Sequence, residues 1–177
     1  MSTPALQTFE QFEQYEDDGM RHELLKGEHI VQFPPTVRQS NIQHYLQDRL
    51  RRYVQQERMG EVYILAGFKL SSDTFLQPDV SFLRSTQLEA ADPDGYLEGS
   101  PAVAIVIPSS STLAVHLDLK IEQYFEHGSE EVWIVYTKTK KFRLHYPSGD
   151  SKTVAAGELR SELFPAWSIP VDSLFHD

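Results

Sequence analysis

The chain has 177 residues, 40% of them hydrophobic, with no cysteine and a formal net charge of −10. That length can bury one sizeable core, read as one domain over residues 1–177, and the absence of thiols removes disulfides, thiolate metal sites and cysteine catalysis. The negative charge counts against generic nucleic-acid binding, which draws its affinity from lysine and arginine, and no apolar run approaches the roughly 20 residues of a membrane span. Residues 1–4 show neither the basic nor the apolar region of a signal segment, so cytoplasmic residence is expected.

Thr8 has the character of a helix N-cap with Gln11 as its capping-box partner, and Phe9, Phe12 and Tyr15 give the short helix an aromatic face. Residues 21–25 and 29–33 read as a hairpin about Lys26, Gly27 and Glu28, broken by Pro34 and Pro35. From about residue 37 to 59 the period is helical, with Ile42, Tyr45, Leu46, Leu50, Tyr53 and Val54 on one face and Gly60 as the stop. Arg49, Arg51, Arg52 and Arg58 lie late in that helix. They suit the negative end of its dipole or form a local basic patch, and the dipole reading is the simpler.

Residues 61–70 and 75–83 read as two strands joined by a turn at 71–73. Residues 85–99 are polar and acidic, a loop with a turn at 92–95 and at most one short helix. Residues 103–107 are apolar throughout, the pattern of a central strand covered on both faces. A polar turn at 108–112 leads to a helix over 113–127 that ends at Gly128. Residues 132–136 form another buried strand, and 142–146 its exposed partner. Leu159, Leu163, Phe164 and Trp167 belong to a tail that packs back. This order gives an α/β class, a mixed central sheet flanked by helices, with a crossover between 103–107 and 132–136.

On a helix turning about 100° per residue, Leu113, Leu117, Ile121 and Tyr124 form one stripe, and Lys120 falls inside it. A buried ammonium needs an anionic partner, for which Asp79 is the obvious residue; alternatively Lys120 snorkels, its stem packed and its head in water. His116 lies one turn earlier on the same edge. Ser109, Ser110 and Ser111 have no identifiable partner base and read as capping hydroxyls. The seven histidines show no zinc spacing; His22, His29 and His44 read as surface or boundary residues. Val115 and Leu119 face outward, which suggests a subunit contact in a twofold homodimer.

Several of these pieces fall in a familiar order: Glu23-Leu24-Leu25-Lys26-Gly27-Glu28, Pro34-Pro35 before a long helix, Gln77-Pro78-Asp79-Val80, Ser109-Ser110-Ser111-Thr112, Lys120 with Tyr124, and Glu131-Val132-Trp133-Ile134-Val135. In that order the chain resembles the Uma2 restriction-endonuclease family, within the PD-(D/E)xK nuclease superfamily. The resemblance runs over roughly residues 9–146. It implies a restriction-endonuclease-like core and metal-dependent hydrolysis of DNA phosphodiesters. Asp79 would hold Mg²⁺ or Mn²⁺, Glu23 would assist it, and Lys120 would steady the attacking water or the phosphate. Lys120 and Asp79 would then meet across a cleft that Glu23 also lines. Two residues depart from the family pattern. Val106 stands where a metal-binding glutamate is expected, and His116 where an aspartate is expected. Losing one of two anionic ligands weakens Mg²⁺ binding, and His116 as a substitute ligand suits transition metals better. Two functions stay open: a metal-dependent DNA endonuclease with a degenerate site, or a catalytically inactive binding or regulatory module on the same fold.

Overall fold

The computed structural model describes residues 5–175, so the reading of residues 1–4 lies outside the described residues. Helix α1 (Phe9–Phe12) opens with the Thr8 N–H donating to Gln11 Oε1 at 2.9 Å, the expected capping contact. Strands β1 (Arg21–Leu25) and β2 (Glu28–Gln32) form the expected hairpin. Helix α2 (Val37–Gln56) starts at a capping box: Thr36 Oγ1 accepts from the Gln39 N–H at 3.3 Å, and Gln39 Oε1 from the Thr36 N–H at 2.9 Å. The helix stops before Gly60, where Arg58 adopts a left-handed φ of 54°. Gly60 serves a different need, since a Cβ there would lie 1.8 Å from the Leu83 carbonyl oxygen. The last turn of α2 holds no basic residue. Arg51 pairs with Glu61 at 2.8 Å and Arg52 with Asp48 at 3.0 Å, so the dipole explanation of the arginine group does not hold.

Residues 61–70 and 75–83 are each divided between two sheets. Strands β3 (Gly60–Ile64) and β6 (Val80–Arg84) pair antiparallel in one, and β4 (Phe68–Ser71) and β5 (Thr74–Leu76) in the other. The first break falls near Leu65, held at φ 53°. The second falls at Gln77-Pro78-Asp79, where Pro78 has no N–H to continue a ladder. The breaks face each other, the Leu65 N–H donating to the Asp79 carbonyl at 3.3 Å.

The loop at 85–99 contains α3 (Ser85–Glu89) and β7 (Leu97–Glu98). Then come β8 (Val103–Val106), α4 (Ala114–Glu126), β9 (Glu131–Tyr136), β10 (Lys141–His145) and β11 (Ser151–Val154). The tail adds a ribbon of β12 (Glu158–Arg160) and β13 (Ser168–Pro170), and a 3-10 turn. The larger sheet runs β11-β10-β9-β8-β6-β3 and the smaller β2-β1-β5-β4-β7. Strands β8 and β9 are parallel, and α4 connects them. The class is mixed α/β with helices flanking the sheets, as the element order predicts.

Strand β8 is apolar at every position because both of its faces are covered. Val103 and Ile105, with Ile107 just beyond the strand, pack with Ile42, Leu46, Leu50 and Val54 of α2. Ala104 and Val106 pack with Leu117 and Tyr124 of α4 and with Leu25, Phe68 and Leu76 of the smaller sheet. On α4 the buried residues are Leu117, Lys120, Gln123 and Tyr124. Leu113, expected in the stripe, is the exposed N-cap residue, and Leu119, expected outward, is half-buried against the cluster. Val115 is exposed as expected. The serine turn does not cap α4, whose N-cap makes no side-chain hydrogen bond; Ser109 Oγ instead lies 2.9 Å from Ser111 Oγ and 3.2 Å from Thr112 Oγ1.

The tail is tied to the larger sheet by a buried acid. Glu131 accepts from Trp133 Nε1 at 2.6 Å and from Ser161 Oγ at 3.0 and 2.9 Å. Burial lifts its carboxyl above the ordinary value, against the pull of those two donors. The folded state therefore binds more protons than the unfolded chain once pH passes the ordinary glutamate value, about 4.3. Stability is expected to fall as pH rises from there through the raised value. Glu131→Gln should flatten that slope, as read from denaturant midpoints between pH 4 and 7.

Candidate active site

The alternation of β1 places Arg21 and Glu23 on one face and His22 on the other. His22 is no isolated surface residue, its Nδ1 lying 2.8 Å from His29 Nε2 and its Nε2 2.7 Å from Asp18 Oδ1. Glu23 is 1% exposed. Its Oε1 accepts from the Gln77 N–H at 2.8 Å, and its Oε2 accepts from Gln32 Nε2 and from Lys120 Nζ. Lys120 is 4% exposed, so it does not snorkel; its ammonium is inside and paired with Glu23.

Asp79 sits at the break between β5 and β6, 2% exposed. Its Oδ1 accepts from Gln43 Nε2 at 2.7 Å and from Arg21 Nη1 at 3.3 Å, and its Oδ2 accepts from the Ile107 N–H at 2.7 Å. Burial pushes the Asp79 carboxyl up; Arg21, the Ile107 N–H and Gln43 pull it down, and the charge on Glu23 adds a smaller upward push. Tyr124 is fully buried. Burial, and then the charges of Glu23 and Asp79, hold its phenol well above the usual range, so its hydroxyl stays protonated. That hydroxyl and Arg21 Nε have no hydrogen-bond partner among the described residues.

Asp79, Glu23 and Lys120 are thus brought into one cluster, but not as a cleft. All three are buried, and Lys120 pairs with Glu23 rather than with Asp79. Val106 packs with Leu117 and Tyr124, the residues that flank Lys120 on α4, and is followed by the Ile107 N–H that binds Asp79. His116 Nε2 lies 3.2 Å from Glu28 Oε1. Sequence reasoning missed Arg21, Gln32 and Gln43. Two signals were available: Gln43 interrupts the apolar face of α2 as Lys120 interrupts that of α4, and Arg21 shares the Glu23 face by simple alternation. Among the described residues, no group of three or more His, Asp or Glu side chains could hold a metal ion.

A family model described as "Putative restriction endonuclease" matches residues 8–172, which include every residue of the cluster. The chain belongs to the Uma2 family. No curated protein matches it. Among solved structures, the crystal structure of "a putative nuclease belonging to DUF820" from Anabaena variabilis aligns with a TM-score of 0.84. That match covers 96% of this chain and 97% of the other at 16% identity, a likeness that shows the fold. As a Uma2 chain, the protein combines a nuclease fold with Val106 and His116 at positions where the sequence resemblance anticipates carboxylates.

Proposed function

We propose that this Uma2 chain is a degenerate member of a metal-dependent DNA endonuclease family, a nuclease fold that serves as a binding or regulatory module. One observation carries the reading. Every carboxylate oxygen of Asp79 and Glu23 already accepts a hydrogen bond from the protein. Mg²⁺ needs near-octahedral oxygen ligation built on one or two free carboxylates, and Val106 supplies no third acid. On this donor set the residues do not fit Mg²⁺ or Mn²⁺. The net charge of −10 further disfavours tight, nonspecific grip on DNA.

A second reading, an active DNA endonuclease, is favoured by the meeting of Asp79, Glu23 and Lys120 in one cluster. Calorimetric titration and plasmid nicking separate the two. The degenerate reading expects Mg²⁺ binding of about millimolar affinity or weaker and no nicking beyond that of Asp79→Asn. Micromolar binding, or nicking that disappears in Asp79→Asn, supports the active enzyme. Cytoplasmic residence and a twofold homodimer complete the proposal, the dimer resting on Leu113 and Val115, 56% and 65% exposed at the start of α4. Sedimentation at the monomer mass overturns the dimer.

A further inference from the structure

The cluster holds two cations and two carboxylates, arranged crosswise. β1 provides the cation for Asp79 (Arg21) and the carboxylate for Lys120 (Glu23). Formal charge inside is therefore zero without any added ion. A guanidinium suits this duty, because it is charged at all working pH and presents several donors from one rigid plane. Arg21 uses two of them, Nη1 to Asp79 at 3.3 Å and Nη2 to the Gln77 carbonyl at 2.7 Å. The second bond anchors the guanidinium to the same strand break that presents Asp79. Its side chain is 13% exposed, so the charge is held mostly out of water, where its field on Asp79 is weakly screened.

We propose that Arg21 is the built-in counter-cation of Asp79 and that it keeps divalent cations from this site. The inference rests on the degenerate reading above and deepens it: the missing glutamate at 106 is one barrier to metal, and Arg21 is a second, independent one. A divalent ion at Asp79 must displace or face the guanidinium, and like charges at contact distance repel. Restoring the acid at position 106 alone is then insufficient, because the resident cation remains.

The test uses the full chain as wild type, Val106→Glu, Arg21→Gln/Val106→Glu and Arg21→Lys/Val106→Glu. Mn²⁺ affinity is read by calorimetry, and the thermal midpoint is read with and without Mn²⁺. Arg21→Gln/Val106→Glu is expected to bind Mn²⁺ at least about tenfold more tightly than Val106→Glu, a difference of about 1.4 kcal/mol, and its midpoint should rise with the ion. Arg21→Lys/Val106→Glu keeps the charge and is expected to behave like Val106→Glu. Equal Mn²⁺ affinity in Val106→Glu and Arg21→Gln/Val106→Glu, tight or weak, overturns the role of Arg21. If the glutamine variant does not fold, Arg21→Met/Val106→Glu takes its place under the same criteria, and micromolar Mn²⁺ binding by Val106→Glu with Arg21 intact overturns the proposal. Micromolar, Asp79-dependent binding in wild type is a different failure, since it removes the degenerate reading itself.

Discussion

Lys120→Ala is expected to destabilise the protein by about 3–5 kcal/mol, the usual cost of removing one partner from a buried ion pair. Glu23, 1% exposed in the wild type, would keep only the Gln77 N–H and Gln32 Nε2 to satisfy its charge. The damage should come from the stranded carboxylate, not from lost contact area. Glu23→Gln/Lys120→Met removes both charges while keeping the volume, so it is expected to cost much less than the sum of the single changes. A double-mutant cycle in urea measures the difference. Additive losses would mean that the two side chains do not interact in solution, and the buried cluster would lose its central pair.

Asp79→Ala is expected to cost a similar amount, about 3–5 kcal/mol. It leaves three donors without their acceptor: Arg21 Nη1, Gln43 Nε2 and the Ile107 N–H. Asp79→Asn keeps an acceptor and should cost clearly less, although Arg21 then loses its counter-charge. The pH dependence separates charge from hydrogen bonding. Burial holds the Asp79 carboxyl above its ordinary value even with Arg21 beside it. The native state therefore binds more protons than the unfolded chain as pH climbs past about 4, the ordinary aspartate value. Wild-type stability should decline through that window up to the raised value. Asp79→Asn should remove this part of the decline and leave the part due to Glu131. A variant with the full wild-type slope would show that Asp79 does not titrate as described.

Part of the site was legible, through one violated local rule and through the order of motifs. Lys120 interrupts an apolar stripe, and an ammonium there needs a partner. Asp79 was legible through the Gln77-Pro78-Asp79-Val80 order, although residues 75–83 read as one strand and the break at Pro78 was not. Val106 breaks no local rule in a strand that is apolar throughout, and it stood out only against the pattern of the family the chain resembles. The partner of Lys120 was not legible. Asp79 and Glu23 are both acids in or beside extended segments, and choosing between them depends on how the first hairpin docks beside α4. The hidden role of Arg21 has the same origin. One strand places it on the Glu23 face, but nothing local says that this face meets residues 77 and 79.

The sequence alone determined the element order, the two-sided burial of β8, the odd lysine and the family-like sequence of motifs. Each is a short-range property, fixed by side-chain period, by turn residues or by the chemistry of single positions. Only the tertiary structure decided that residues 61–70 and 75–83 divide between two sheets, and that the cluster is sealed and internally neutralised. Residues 61–70 and 75–83 each read as one extended run without a period that changes at Leu65 or Pro78, so the pattern does not register the change of sheet. Charge pairing over 97 positions, as between Glu23 and Lys120, arises only when the hairpin, the strand break and α4 close on one another. At that point low exposure makes each cation seek the nearest carboxylate, and the packing, not the chain order, sets which one that is.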